Sequence, residues 1–371
     1  SHLPESADGR VVVIDPCDEA PVGFNPLGAG PAGIDTVLHV FHSMWAGSWG
    51  PRMGDILHAG LLTLALNDNR SLVELPLLLT DPAFRKPLVS RAVKRDPIGL
   101  GTFWAMWDGW SDEMRAQALA PVMNKLRQVL LRPDLRAVLG QTKPRFDPSS
   151  VFTDRQVVLV RLNKGRLGGE GASLLGSLLV ASLWRSALAR SAVPSARRRP
   201  VVWYLDEFQE FLRLPLDLAD ALVQARGLGV GVVLAHQHLD QLDRAVRSAV
   251  LANVGSRVLF RLDHDDATVM AKRTGGLLRP EHLSALAPYE TYCSVLVEGE
   301  RTAFGSMRTE PLPPPSRDVD ALLDVNRQRW GRPATEVDER LQRLMNGDAS
   351  AEPTAAIGGR RRQPSSAEEG R

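Results

Sequence analysis

Cysteine is nearly missing from this chain: Cys17 and Cys293 are the only two in 371 residues, and they stand far apart. Such spacing excludes a zinc ribbon or a disulfide framework, and a reduced cytosolic chain is the simplest account. The eight histidines form no H-E-x-x-H or related pattern. His236 and His238 would share one face of a strand, but no second ligand pair stands beside them. Long apolar runs are lacking too. The longest, 172–184, contains three serines and stops at Arg185, short of the roughly 20 residues that cross a bilayer. It reads as a buried helix. The opening Ser-His-Leu-Pro-Glu-Ser has no apolar core of a signal peptide. Neither sign of charge dominates, since 45 basic against 43 acidic residues leave +2. No global basic field announces nucleic acid.

A further gap concerns phosphate. No window carries G-x-x-x-x-G-K-[ST], whose lysine reaches the phosphates and whose hydroxyl serves Mg²⁺. The nearest approach is Gly165-Arg166-Leu167-Gly168-Gly169-Glu170-Gly171-Ala172-Ser173, where Ala172 stands in the place of the lysine. This stretch reads as a flexible strand-to-helix turn.

What is present begins with Val201-Val202-Trp203-Tyr204-Leu205-Asp206-Glu207. A short apolar strand running straight into two acids has the layout of a Walker B element. Asp206 would hold Mg²⁺ through water, and Glu207 would polarise the water that attacks a γ-phosphate. The competing reading is a strand that ends in a solvated acidic turn.

Runs at 157–162, 201–205, 230–235 and 257–262 look like strands of one sheet, and 10–15 is a fifth strand candidate. Helical segments at 172–189 and 216–226 alternate with them, which predicts a parallel α/β sheet covered by helices. The region from His39 to Gln141 is rich in Leu, Met and Trp at helical spacing. Within it, 52–66, 70–79 and 111–131 can each present an apolar face, with Ser111 as a helix start. Trp104, Trp107 and Trp110 suit packing along one helix side. The expectation is a self-contained helical lobe that serves cargo or DNA-complex recognition. After a hairpin over 291–307, turning at Glu298-Gly299-Glu300, the prolines at 311 and 313–315 stiffen the chain and end the fold. The predicted divisions are 1–38, the start of an α/β motor domain; 39–150, an all-α insertion; and 151–310, the main motor domain. A proline-rich linker with short charged helices follows at 311–346, then a disordered tail at 347–371.

Two polar residues follow the acids at informative places. Arg226 ends a helix closed by Gly227 and Gly229. It suits either a cation on the helix dipole or an arginine finger reaching a neighbouring subunit's site. Gln237 ends the next strand, where open α/β sheets bind ligands; it would sense phosphate or simply cap the strand. Arg197-Arg198-Arg199 and Arg360-Arg361-Arg362 are basic clusters, each read as a solvated face rather than a nucleic-acid track.

Taken in order, these elements resemble the type IV secretion coupling ATPases of the TraG/TraD kind, especially actinobacterial members. Val11-Val12-Val13-Ile14-Asp15-Pro16, leading to Asn25-Pro26-Leu27, is similar to that family's segment after the Walker A helix. Trp49-Gly50-Pro51-Arg52 is similar to the entry to its all-α domain. Asp206-Glu207 matches its Walker B acids, Arg226 its trans-acting arginine, and Ala235-His236-Gln237 its strand-end glutamine motif. Leu251-Ala252-Asn253 and Asp265-Asp266-Ala267 fit its closing segment. The likeness runs roughly over 10–309.

The resemblance implies an α/β, RecA-like P-loop NTPase sheet with an inserted all-α domain. It implies ATP and Mg²⁺ as cofactors, Glu207, Arg226 and Gln237 as catalytic residues, and Asp206 as the metal ligand. DNA threaded through a ring pore, a relaxase or relaxosome, secretion-channel ATPases and a homo-hexamer are the implied partners. The cytoplasmic side of the cell membrane is the implied location. The family's Walker A loop and N-terminal membrane segment find no counterpart in these residues. The expectation is therefore a chain that starts part-way through the domain, or a shortened relative, that binds ATP poorly by itself. A chromosomal DNA translocase of the HerA or FtsK kind and a non-catalytic cargo-binding adaptor are the alternatives.

Overall fold

A computed structural model describes residues 2–214 and 218–347. The expected disordered tail, from 348 onward, and Arg360-Arg361-Arg362 lie outside the described residues. Each predicted strand is present within a residue or two of its apolar run, except that the run at 257–262 gives a strand only over Arg257–Leu259. Strands β1 (Val11–Ile14) and β2 (Val157–Val160) pair in parallel, with Val11 opposite Val157. Strands β3 (Val201–Leu205) and β4 (Val230–Leu234) form a second parallel pair, in register from Val201–Val230 to Leu205–Leu234.

Their grouping differs from the single parallel sheet expected for these runs. Among the described residues the two parallel pairs share no ladder. Strand β5 (Arg257–Leu259) pairs antiparallel with β6 (Glu290–Ser294). β7 (Leu296–Val297) and β8 (Glu300–Arg301) make a tight hairpin, and β9 (Gly305–Arg308) returns onto β6. Apolar runs specify that a strand forms, but not its neighbour. β6 and β9, close in sequence, offer β5 a ready edge. The hairpin turns on Glu298 and Gly299, with φ of 51° and 90°, the left-handed pair a two-residue turn needs.

Helices fill most of the stretch between β1 and β2. They are α1 (Pro31–Met44), α2 (Pro51–Ala65), α3 (Leu75–Thr80), α4 (Pro82–Arg95), α5 (Gly99–Asp108), α6 (Asp112–Leu130) and α7 (Pro133–Leu139). Ser111 caps α6 by accepting from the Met114 N–H, as its sequence suggests. Trp104 and Trp107 are buried, with ring centroids 5.8 Å apart. These helices do not have a core of their own. Val37 and Phe41 of α1 and Leu57 of α2 share one cluster with Val12 and Ile14 of β1. Leu174, Leu175 and Leu178 of the long helix α8 (Lys164–Ala189) belong to it as well. Farther along, α8 turns Trp184 onto Trp203 of β3, in a second cluster. One helix thus holds the helical region and the sheet together. It is also the one helix among the described residues long and apolar enough to cross a membrane, and it is mostly buried.

The glycine-rich stretch at 165–173 is part of α8, where a flexible turn was expected. Only Gly168 departs from helical geometry, with φ of 67°. A Cβ on Gly171 would lie 2.9 Å from Leu135 of α7, so this glycine permits close helix packing.

The prolines after Thr309 do not end the fold. Helix α13 (Val319–Trp330) lies on β1, and α14 (Ala334–Met345) on α7. Buried Asn326 of α13 accepts from the Val13 N–H at 2.8 Å and donates to its carbonyl at 3.1 Å. One side chain satisfies an open stretch of strand edge. Arg340 of α14 donates to buried Glu74 at 3.0 Å. These short charged helices dock through a few apolar side chains, among them Leu322, Leu323 and buried Val337, together with these polar contacts.

Candidate nucleotide-binding edge of the parallel pair

The carboxyl ends of β3 and β4 carry the candidate site. Beyond Leu205 the pairing continues: Ala235 N–H donates to the Leu205 carbonyl at 2.9 Å, and Phe208 N–H donates to the Ala235 carbonyl at 3.2 Å. Between these bonds the chain turns at Glu207, whose φ of 50° and ψ of 46° are left-handed. Fully buried Phe208 anchors the turn and meets His236 edge-on at 5.8 Å. The short 3₁₀ turn Phe208–Glu210 follows. This geometry sets Glu207 beside the residues that leave β4.

Three of the four predicted site residues meet here. Gln237 donates through Nε2 to Glu207 Oε1, and exposed Asp206 accepts the Glu207 N–H at 3.1 Å. Gln209 donates to the other oxygen, Glu207 Oε2, at 2.8 Å. These donors hold the Glu207 carboxyl below its usual range, Gln209 foremost, against partial burial that pushes the other way. Hydrogen bonds to the ionised form favour it.

Arg226 stands elsewhere. It lies near the end of α9 (Leu218–Gly227), the helix that returns from β3 to the start of β4. Gly229, three residues on, accepts the N–H of Val201, the first residue of β3. Arg226 therefore sits at the amino edge, a strand length of about 16 Å from Glu207. Arg226 is the basic residue of the last turn of α9, and a second arginine serves the same helix end. Arg198 donates to the Gly227 carbonyl at 2.6 Å, and to Ser191 and Val193 carbonyls. Arg198 is thus a tie between segments, not part of a solvated basic face.

Sequence reasoning missed Gln209, Gln241 and Lys164. Gln209 reaches back two positions because of the 3₁₀ turn, and nothing in Asp-Glu-Phe-Gln announces that. Lys164, at the start of α8, pairs with Glu210, a contact across 46 positions.

Beside this edge lies a small acidic pocket lined by His238, Asp240, Gln241, Asp263, Asp265 and Asp266. His238 Nδ1 is 3.0 Å from Asp263 Oδ2. Asp263 caps α11 (His264–Ala271), and buried Asp266 accepts the Leu239 N–H at 2.9 Å. These carboxylates already have structural work in fixing the segment after Gln237.

Residues 200–276, which contain the whole of this edge, match the family model described as the TraM recognition site of TraD and TraG. No curated protein sequence is matched. Among solved structures, the chain is similar to the plasmid coupling protein TrwB in complex with ADP and Mg²⁺. That likeness has a TM-score of 0.58 and 16% identity, over 84% of this chain and 76% of that one. The bacterial conjugative coupling protein TrwBdeltaN70, in its unbound monoclinic form, gives 0.56 at 17% identity, over 81% and 74%. At such identities the likeness is one of fold alone, a RecA-like α/β architecture. The chain thus shares the fold of these coupling proteins and carries, over residues 200–276, the stretch matched by the TraD and TraG family model.

Proposed function

We propose that this chain is the larger part of a hexameric, ATP-driven coupling protein that moves DNA, with its relaxase, toward a conjugative or type IV secretion channel. The supporting observation is the contact of Gln237 with Glu207 at the carboxyl edge of β3 and β4. It lies inside the stretch that matches the TraD and TraG recognition site. A TrwB structure of the same fold is a complex with ADP and Mg²⁺, which supports ATP with Mg²⁺ as the cofactors. The relaxosome and DNA are the partners we assign, at the cytoplasmic face of the membrane.

The residues present fit half of a nucleotide site. Exposed Asp206 has a carboxylate oxygen free of the Glu207 N–H bond and suits a water-mediated contact with Mg²⁺. Bound ATP would supply the phosphoryl group, and the metal would neutralise its charge. Glu207 accepts a proton from the attacking water, and Gln237 orients its carboxylate and links it to the segment after β4. Arg226, at the opposite edge, acts only on a neighbouring subunit. No lysine of a phosphate loop is in the sequence, so these residues lack the group that grips the phosphates. That same gap favours the adaptor reading, in which the helical region binds cargo without hydrolysis.

The two readings part in a mating assay with cells that carry the protein. Glu207→Gln should lower DNA transfer by at least ~100-fold, the scale of a lost general base, with protein level unchanged. Transfer at the wild-type frequency would rule out hydrolysis at this site and leave the adaptor.

A further inference from the structure

Gln209 belongs to no pattern that the site reading used, yet it donates directly to the acid. Its Nε2 is 2.8 Å from Glu207 Oε2 and 3.4 Å from Gln241 Oε1. Gln241 Oε1 also accepts the His238 N–H at 3.2 Å. Gln237 occupies the remaining oxygen of Glu207. Each carboxylate oxygen therefore has its own amide donor, one from each side. The orientation of Gln209 follows from chemistry, because an ionised carboxylate only accepts and must face the NH₂. Its Oε1 is buried with no partner among the described residues. Leaving that acceptor without a partner is unfavourable, and the contact to Glu207 offsets it.

We propose that Gln209 is a positioning residue: with Gln237 it latches the Glu207 carboxylate and ties the end of β3 to the 238–241 segment. The inference rests on Glu207 being the water-polarising acid. An amide donor on each oxygen favours the ionised carboxylate and makes it a weaker base toward water. Glu207 is thus held at rest, and displacement of the 238–241 segment frees it. That segment is anchored at Asp263 and Asp266 through His238 and Leu239, so motion at α11 reaches the acid through Gln241 and Gln209. The other charged groups near Glu207 are Asp206, Lys164, His236 and Glu210. Lys164 is engaged with Glu210, and the ring of His236 packs on Phe208.

The test is side-chain amide NMR of the full chain, with the NH₂ resonances assigned through Gln209→Leu and Gln237→Leu. In Glu207→Leu the Gln209 and Gln237 NH₂ resonances should both move to the positions of a free glutamine amide. In Gln209→Leu the backbone amides of 238–241 should shift while those elsewhere stay put. A purely space-filling role would leave the Gln209 NH₂ resonances unmoved in Glu207→Leu. Unmoved Gln209 resonances in Glu207→Leu, or unmoved 238–241 amides in Gln209→Leu, overturn the latch. Either variant decides if the other does not fold. The outcome is separable from hydrolysis: a working latch with transfer intact in Glu207→Gln sinks only the catalytic reading.

Discussion

Single side chains carry much of this structure's specificity. Glu207 has its ionised form favoured by the Gln209 and Gln237 amides, so its folded-state pKa lies below the unfolded value. The stability it contributes is present above the unfolded value, about 4.3, and is lost as pH falls through the folded value. Wild type should therefore lose more stability than Gln209→Leu between pH 5 and the acid limit of folding, measured by urea titrations across that window. An equal loss in both would show that the amide contributes nothing to the ionised form. Asn326 makes a second case. In Asn326→Leu both backbone groups of Val13 lose their partner while buried, a cost of about 2 kcal/mol or more. Thermal or urea unfolding reads it, and a change under ~0.5 kcal/mol would mean that water takes over the strand edge.

Secondary-structure elements decide which arginine does which job. Arg198 ties the end of α9 to the turn before β3 through three backbone carbonyls. Arg226, one position before the end of the same helix, is exposed and has no side-chain partner among the described residues. Arg198→Ala should cost about 1–2 kcal/mol of stability, and Arg226→Ala less than ~0.5 kcal/mol. Equal losses would return Arg226 to a helix-end role and remove the reason to look for its target on a neighbouring subunit. If the reading holds, Arg226→Ala should still depress DNA transfer in the mating assay. The element scale also explains the bare faces of the short parallel strands. Val202, Tyr204 and Val233 alternate with buried Trp203 and Val230, as a strand period of two requires. The inner set packs on α8, whereas the outer set meets no helix among the described residues, so Tyr204 is 77% exposed.

At the scale of the whole molecule, the helical region and the sheet cannot be treated as detachable parts. Replacing 39–150 with a Gly/Ser linker would strip the partners of Val12, Ile14, Leu174, Leu175 and Leu178. Each such side chain is worth about 1.5–3 kcal/mol when buried, and together they are comparable with the ~5–15 kcal/mol net stability of a typical domain. The shortened chain should show no cooperative unfolding transition. A sharp transition at the wild-type temperature would instead prove the second cluster autonomous and restore the self-contained lobe.

The sequence by itself determined the local elements and where along them the candidate residues fall. Apolar runs marked the strands and Ser111 marked a helix start, because both depend on side chains adjacent in the chain. Asp206 and Glu207 at the end of β3 and Gln237 beyond β4 were legible for the same reason, since a strand carries its last residue to the sheet edge. Tertiary structure alone decided the rest. Strand partners, the shared core of α1, α2 and α8, and the return of α13 and α14 depend on contacts between residues tens or hundreds of positions apart. Gln209 is the near exception: it is two positions from Glu207, yet only the left-handed turn at Glu207 and the 3₁₀ turn after it bring the amide back. Backbone conformation at one residue, which no periodicity records, made that contact.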